Sequence, residues 1–352
     1  MNTFITKKRL IWAGSVLALA LVLWVGYYVY SILSFGNNIQ ADREDSPFKQ
    51  FHEEQDASDE NQPPKWSGTE RVNVLLLGGD DRGLAEGETP RSDTLMIASL
   101  DPVTKKAHLF SILRDSYVSI PDRGMDRINA ALAYGGPELA MRTVSEWLDI
   151  PVQYYIYVDF QGFVKLIDAI GGIDFYVEKD MYYSSRADGP EYDINLKKGQ
   201  QHMDGHTALQ YVRFRYDALS DYARTERQRK FMTAVAKKMQ SFSSILKLPN
   251  TLKAIEPYIE TNLSLRDMWS LGDLGKSTNT SEIITAQLPP LELLREEKIG
   301  GADVVTSNPS AVKQYVQEKF AEANKVQEPE AADTDLSETA EPRTGQAAGT
   351  NE

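Results

Sequence analysis

The chain has 352 residues, 41% of them hydrophobic, and a formal net charge of −13 at pH 7, enough apolar material for one large core or two small ones. The negative balance excludes nucleic acid as a partner, because such proteins need a basic surface to replace phosphate counterions. Cysteine is absent, which excludes thiolate metal sites, cysteine nucleophiles and a disulfide framework.

Residues 1–9 end in Lys7, Lys8 and Arg9, and residues 10–33 (LIWAGSVLALALVLWVGYYVYSIL) carry no charged side chain. A helix of that length rises about 36 Å, sufficient to cross a bilayer. The run exceeds the h-region of a cleaved signal peptide, and no small-residue cleavage pattern follows it. Lysine and arginine precede it and an acidic run beginning at Asp42 follows it. The positive-inside bias therefore places residues 1–9 in the cytoplasm and the rest outside the cell, behind a single-pass anchor in the cell membrane. Residues 34–68, polar and acidic, read as a flexible stalk, and residues 326–352 as a disordered acidic tail.

The body of the chain, 69–325, alternates strand-like and helix-like patterns. Residues 72–77 (VNVLLL) form a continuous apolar run ending at Gly78 and Gly79, as for a strand covered on both faces. Further strands are expected at 94–100, 107–113, 154–158, 173–177, 209–214, 282–288 and 303–306. Helices are expected over 127–149, interrupted at Gly135-Gly136-Pro137, and over 160–170, 222–242, 253–274 with a polar break, and 309–320. This pattern predicts an α/β fold: one extracellular domain with a mixed, largely buried β-sheet and helices on both sides.

Five arginines fall within residues 213–229. If 209–214 is a strand, Arg213 and Arg215 leave the same face. Asp221 stands where a helix N-cap belongs, and Arg224, Arg227 and Gln228 share one face of the following helix. Arg227 and Arg229 read as helix surface and ion pairing. Upstream, the first strand runs into Gly78-Gly79-Asp80-Asp81-Arg82, a position where α/β proteins hold ligands. Arg91 and Asp93 precede the second strand, and Arg114-Asp115 follows the third. Asp80 and Asp93, two hard oxygen donors at neighbouring strand ends, would suit Mg²⁺ with waters and phosphate completing its shell, or Mn²⁺ in its place. Convergence of Arg91, Arg114, Arg213, Arg215 and Arg224 would exceed the charge of Asp80, Asp93 and Asp115. Guanidinium forks match phosphate, so a pyrophosphate with a metal would balance the site. The four histidines suggest no base, and no G-x-S-x-G or G-x-x-x-x-G-K-[ST] sequence is present, so neither a serine hydrolase nor a P-loop enzyme is indicated.

Taken together, VLLLGGDDR, RSDTLMIASLDP, FSILRDSYVSIP, RINAALAYGGPELAMRTV, DFQGFVKLIDAIGGIDFYV, KKGQQHMDGHTALQYVRFR and SDYARTERQRKF, spread in this order over about residues 70–242, resemble the LytR-CpsA-Psr family. That resemblance implies an extracellular transferase whose apolar pocket holds a polyprenyl chain with a pyrophosphate at its mouth. It would move an anionic glycopolymer, such as teichoic acid or capsule, from the polyprenyl-pyrophosphate carrier to peptidoglycan. By position it implies Asp80 and Asp93 as metal ligands, and Arg91, Arg114, Arg213 and Arg215 as pyrophosphate contacts, joined by Arg127, Arg224 and Gln228. Leu113 replaces the usual proline before Arg114, Arg127 the lysine of K-I-N-A-A, and Ser220 the glycine of the last motif. A non-catalytic polyprenyl-phosphate-binding scaffold and a hydrolase acting on the same carrier are the alternative readings.

Overall fold

The apolar run 72–77 lies in β1 (Val72–Gly79), at the middle of a six-stranded sheet of order β11-β6-β1-β2-β3-β12. The computed structural model describes residues 7–41, 46–54, 62–80, 89–184, 189, 192–215, 220–279 and 282–325. Its strands continue with β2 (Ser92–Leu100), β3 (Ala107–Ile112), β4 (Tyr117–Ile120), β5 (Gly124–Arg127), β6 (Tyr154–Asp159), β7 (Ile173–Val177), β8 (Met181–Tyr183), β9 (Ile194–Leu196), β10 (Gly199–Met203), β11 (Ile259–Thr261), β12 (Ile284–Leu288), β13 (Leu294–Ile299) and β14 (Ala302–Ser307). Its helices are α1 (Lys7–Asn38), α2 (Lys49–Glu54), α3 (Ala130–Leu148), α4 (Phe160–Ala169), α5 (Gly205–Arg213), α6 (Ser220–Met239), α7 (Phe242–Ile255), α8 (Leu265–Ser277) and α9 (Pro309–Lys325).

The sheet is mixed, as expected. β1 pairs antiparallel with β2 and parallel with β6, while β3 pairs antiparallel with β2 and parallel with β12. On one face Leu75, Leu77, Ile97, Phe110 and Ile112 pack with Val144 and Leu148 of α3 and with Val312 and Val316 of α9. Each such side chain contributes about 1.5–3 kcal/mol on burial. Strand alternation sends Leu76, Ala98, Ile156 and Val158 to the opposite face, where all four are only half-buried. A second apolar cluster, including Ile167, Met203, Tyr211 and Phe231, joins α4, α5, α6 and the β7–β10 region. The helix 127–149 is broken where expected: Gly136 has φ 70, a left-handed conformation open to glycine.

Several local expectations are overturned. Residues 209–214 lie largely in helix α5, not a strand. Asp204 caps it by accepting from Thr207 N at 2.8 Å, and Ala208, Leu209 and Tyr211 form its buried side. A short apolar run fits either periodicity, and the cap decides. Arg127 ends strand β5 and does not begin a helix, and the helical stretch expected at 253–274 contains edge strand β11. Asp221 lies inside the first turn of α6. Arg227 and Arg229 are buried and not surface residues. Arg227 donates to Phe214 O and Arg229 to Ser111 Oγ.

α1 contains the apolar span expected at 10–33 and continues to Asn38; it is long and apolar enough to cross a membrane. Part of the segment expected to be a stalk packs on the domain. Phe35, Ile39 and Phe48 are buried, Gln40 Nε2 donates to Leu263 O at 2.9 Å, and Ser46 Oγ donates to buried Glu260 at 2.5 Å. Residues 1–6, Asp81, Arg82 and the tail 326–352 lie outside the described residues.

Candidate active site

The candidate site forms at the end of the sheet where β1 stops and β2 starts. Pairing runs Gly78↔Thr94 and then Gly79↔Ser92, so Asp93 is the extra residue of a bulge. A bulge re-aims the side chain it carries. Gly79 permits this close approach, since a side-chain carbon there would collide with the Tyr157 ring. β3 ends one residue before Leu113, delivering Arg114 alongside, and the N-terminal half of α6 supplies Asp221, Arg224 and Gln228.

Asp93 is the meeting point. Arg114 Nη1 reaches its Oδ1 at 2.5 Å and Arg215 Nη2 the same oxygen at 3.6 Å. Arg224 Nη2 donates to the Asp93 carbonyl at 3.4 Å and contacts Asp221 Oδ1 at 2.7 Å. Asp115 is shared, with Arg114 Nε at 3.4 Å and Arg127 Nη1 at 3.5 Å. Gln228 Nε2 donates to Thr94 Oγ1 at 3.1 Å and Val212 O at 3.2 Å. Among the described residues this network joins four guanidiniums to three carboxylates.

Burial sharpens the imbalance. Arg224 is 2% exposed and its Nε has no hydrogen-bond partner among the described residues. Burial pushes its pKa down to about 10; Asp221 opposes that shift, and the neighbouring charges of Arg215 and Arg114 reinforce it. It stays a cation at neutral pH. Burial also works against the charge of Arg114, but Asp93, Asp221 and Asp115 together outweigh it and hold this guanidinium above its ordinary pKa. A desolvated cation with an unused N–H favours an anion.

Arg213, Arg91 and Asp80, also expected at the site, have other surroundings. Arg213 ends α5, lays its guanidinium over the rings of Phe160 and Tyr192 at 5.4 and 5.1 Å, and donates to Tyr192 O at 3.3 Å. Its position thus comes from a helix end, not from a shared strand face with Arg215. Arg91 is exposed just before β2, and its charge acts on Asp126 and Tyr134. Tyr134 donates to Asp126 at 2.5 Å. Burial opposes ionisation of Asp126, but this bond, the Arg127 N–H and the charges of Arg127 and Arg91 hold its carboxyl below the usual range. Asp80 is half-buried one residue beyond the Gly79↔Ser92 pair.

Among the described residues no group of three or more His, Cys, Asp or Glu is arranged to hold a metal ion by itself. The donor set of Asp80 and Asp93 still fits Mg²⁺, which keeps several waters and commonly takes one or two carboxylates together with substrate phosphates. Sequence reasoning missed the Asp126–Tyr134 pair, the aromatic bed of Arg213 and the ion-pairing role of Asp221. Only the acid-arginine spacing from Asp221 to Arg224 offered a local signal.

The LytR_cpsA_psr family profile matches residues 28–321. The teichoic acid transferase TagU of Bacillus cereus (strain AH820) is 36% identical over 269 residues, covering 75% of this chain and 82% of its own. Among solved structures, TagT bound to LI-WTA aligns with a TM-score of 0.58 at 27% identity, covering 75% of this chain and 95% of its own. YwtF (TagT) with bound octaprenyl pyrophosphate lipid aligns at 0.54 and 27%, covering 74% and 95%; both names are those of a Bacillus subtilis protein. The order of the motifs, the mixed sheet with helices on both sides and the extent of the match agree: this chain belongs to the LytR-CpsA-Psr family.

Proposed function

We infer that the protein is a membrane-anchored phosphotransferase that moves an anionic glycopolymer from a polyprenyl-pyrophosphate carrier to peptidoglycan, forming a phosphodiester. The observation that carries this reading is the convergence of Arg114, Arg215 and buried Arg224 around Asp93, with more guanidiniums than carboxylates in the network. TagU is named as a polyisoprenyl-teichoic acid–peptidoglycan teichoic acid transferase, and TagT is known with octaprenyl pyrophosphate bound. The half-buried apolar strip Leu76, Ala98, Ile156 and Val158 lies on the same sheet face as Thr94, so a polyprenyl tail laid along it would bring its phosphates to the arginines.

In this scheme the guanidiniums of Arg114, Arg215 and Arg224 bind and neutralise the pyrophosphate oxygens, and Arg91, Arg127 and Arg213 flank them. An acceptor sugar hydroxyl of peptidoglycan attacks the polymer-side phosphorus and loses its proton. The bond to the bridging oxygen breaks, and the polyprenyl phosphate leaves with that electron pair. Asp80 and Asp93 would hold Mg²⁺, which when bound supplies further neutralisation of phosphate charge. α1 anchors the domain, with residues 1–9 cytoplasmic and the site outside the cell.

The test uses the full chain in vesicles, a synthetic polyprenyl-pyrophosphate-linked glycopolymer and a peptidoglycan oligomer. Transfer is expected in wild type, lost on chelation and restored by Mg²⁺, and abolished by Arg114→Ala and by Asp93→Ala without loss of folding. Full activity in both variants would overturn the site assignment. Release of free phosphorylated polymer irrespective of peptidoglycan would make the protein a hydrolase, and binding without turnover a scaffold.

A further inference from the structure

α8 carries an exposed tryptophan beside the outer end of the membrane helix. Trp269 is 73% exposed, although tryptophan is highly buried on average. Its neighbours Leu265 and Met268 pack on Gly36 of α1 so closely that a side-chain carbon at Gly36 would collide with Leu265. Phe35 and Ile39 of α1 complete the contact with Met268 and with Ile255 of α7. Beyond Leu33 the last residues of α1, Ser34-Phe35-Gly36-Asn37-Asn38, turn polar although they carry no charge, and Gly36 stands three residues past Leu33, about 4.5 Å further along the axis. One headgroup layer is roughly 5–8 Å thick. The first turn of α8 therefore meets α1 at headgroup depth. Arg266 and Lys276 are exposed on the same helix, with Asp273 the exposed acid between them, and Lys253 is exposed on α7.

We propose that α8 is a membrane-surface element: Trp269 lies in the headgroup boundary of the leaflet that α1 leaves, and Arg266 and Lys276 meet anionic headgroups. The inference rests on reading α1 as a membrane anchor. It follows from the amphipathic ring of tryptophan, which favours this layer; Arg266 and Lys276 each add about 1 kcal/mol near an anionic surface, while half-buried Asp267 and exposed Asp273 balance their charge within α8. A second point of contact beside α1 would stop the domain from turning freely about its anchor and keep the site at a constant height above the bilayer.

The absence of cysteine makes a single-site reporter straightforward. Gly272 is exposed one turn beyond Trp269 and has open space where a side chain would begin. Gly272→Cys, labelled with an environment-sensitive NBD dye in the full chain, is reconstituted in vesicles of phosphatidylglycerol and phosphatidylcholine. The control is Asp303→Cys on β14, whose carboxylate is 83% exposed. A blue-shifted emission and loss of iodide quenching are expected at position 272 and not at 303. Both effects should disappear in the Trp269→Ser background and weaken with Arg266→Glu/Lys276→Glu. A label at 272 quenched as fully as that at 303 overturns the proposal. Protection that survives Trp269→Ser does so too, because α1 alone would then account for it. Glycopolymer transfer by the wild type in the same vesicles separates the two readings: transfer with a quenched label refutes only the docking, and protection without transfer refutes only the enzymatic assignment.

Discussion

Arg224 distinguishes a structural ion pair from a substrate site. Arg224→Met leaves Asp221 without its partner at 2.7 Å and removes the hydrogen bond to the Asp93 carbonyl. Breaking a fully buried pair costs roughly 3–5 kcal/mol. Asp221 is 26% exposed, so water recovers part of that and a loss of about 2 kcal/mol is expected. Adding Asp221→Asn removes the stranded charge, and the double variant should regain most of the stability, because neutral replacements of buried pairs are often well tolerated. Transfer should not return with it. If the guanidinium binds pyrophosphate oxygens as charge develops, its loss lowers kcat by about 10²–10³, roughly 3–4 kcal/mol. Thermal unfolding of the full chain, with and without added pyrophosphate, and transfer kinetics on the same preparations measure both quantities. Recovery of transfer to within tenfold of wild type in the double variant would refute the reasoning and reduce Arg224 to a partner of Asp221.

Ala98→Trp should fill the half-buried strip beside Leu76 and Ile156 and lower transfer from a long polyprenyl carrier, with little effect on a short-chain analogue; equal loss on both would place the tail elsewhere. Arg227→Met removes a buried guanidinium that donates to Phe214 O and lies 3.7 Å from Glu178, and should destabilise the fold by about 2–4 kcal/mol, seen as a lower Tm. The pH dependence of stability should report His108, which is buried between Arg71 and Lys319 O; burial, then the charge of Arg71, pushes its pKa down to about 4. The unfolded chain takes up that proton near pH 6.5, so stability is complete above about 6.5 and falls as pH drops toward 4, by up to about 3 kcal/mol. His108→Gln should flatten that part of the curve, and an unchanged slope would assign it to other groups.

The long apolar helix α1, the mixed α/β layering and most residues of the candidate site are legible in the linear chain because each rests on a local signal. An uncharged run of bilayer length, apolar strands ended by glycine and helices of regular period depend on neighbours in sequence. Asp93, Arg114 and Arg224 could be named for the same reason, since charged residues at the ends of apolar runs stand out. Where local signals are ambiguous, tertiary packing decides. Residues 209–214 are short enough to satisfy strand or helix spacing, and the Asp204 cap together with burial against α4 and α6 selects the helix. The segment after α1 looked too polar to fold, yet Phe48 finds a place beside Tyr157 and Ser46 satisfies Glu260. Neither partner is near in sequence. Arg227 and Arg229 looked like surface residues because charge usually marks solvent, and only the packing of α6 on the sheet shows them inside. The register break at Gly79 aims Asp93, and the contact between Arg224 and Asp93 spans 131 residues. Composition and periodicity thus determined which elements form and which charges need an anion, whereas long-range pairing alone decided that those charges surround Asp93, because desolvation and mutual repulsion depend on distances that local patterns do not encode.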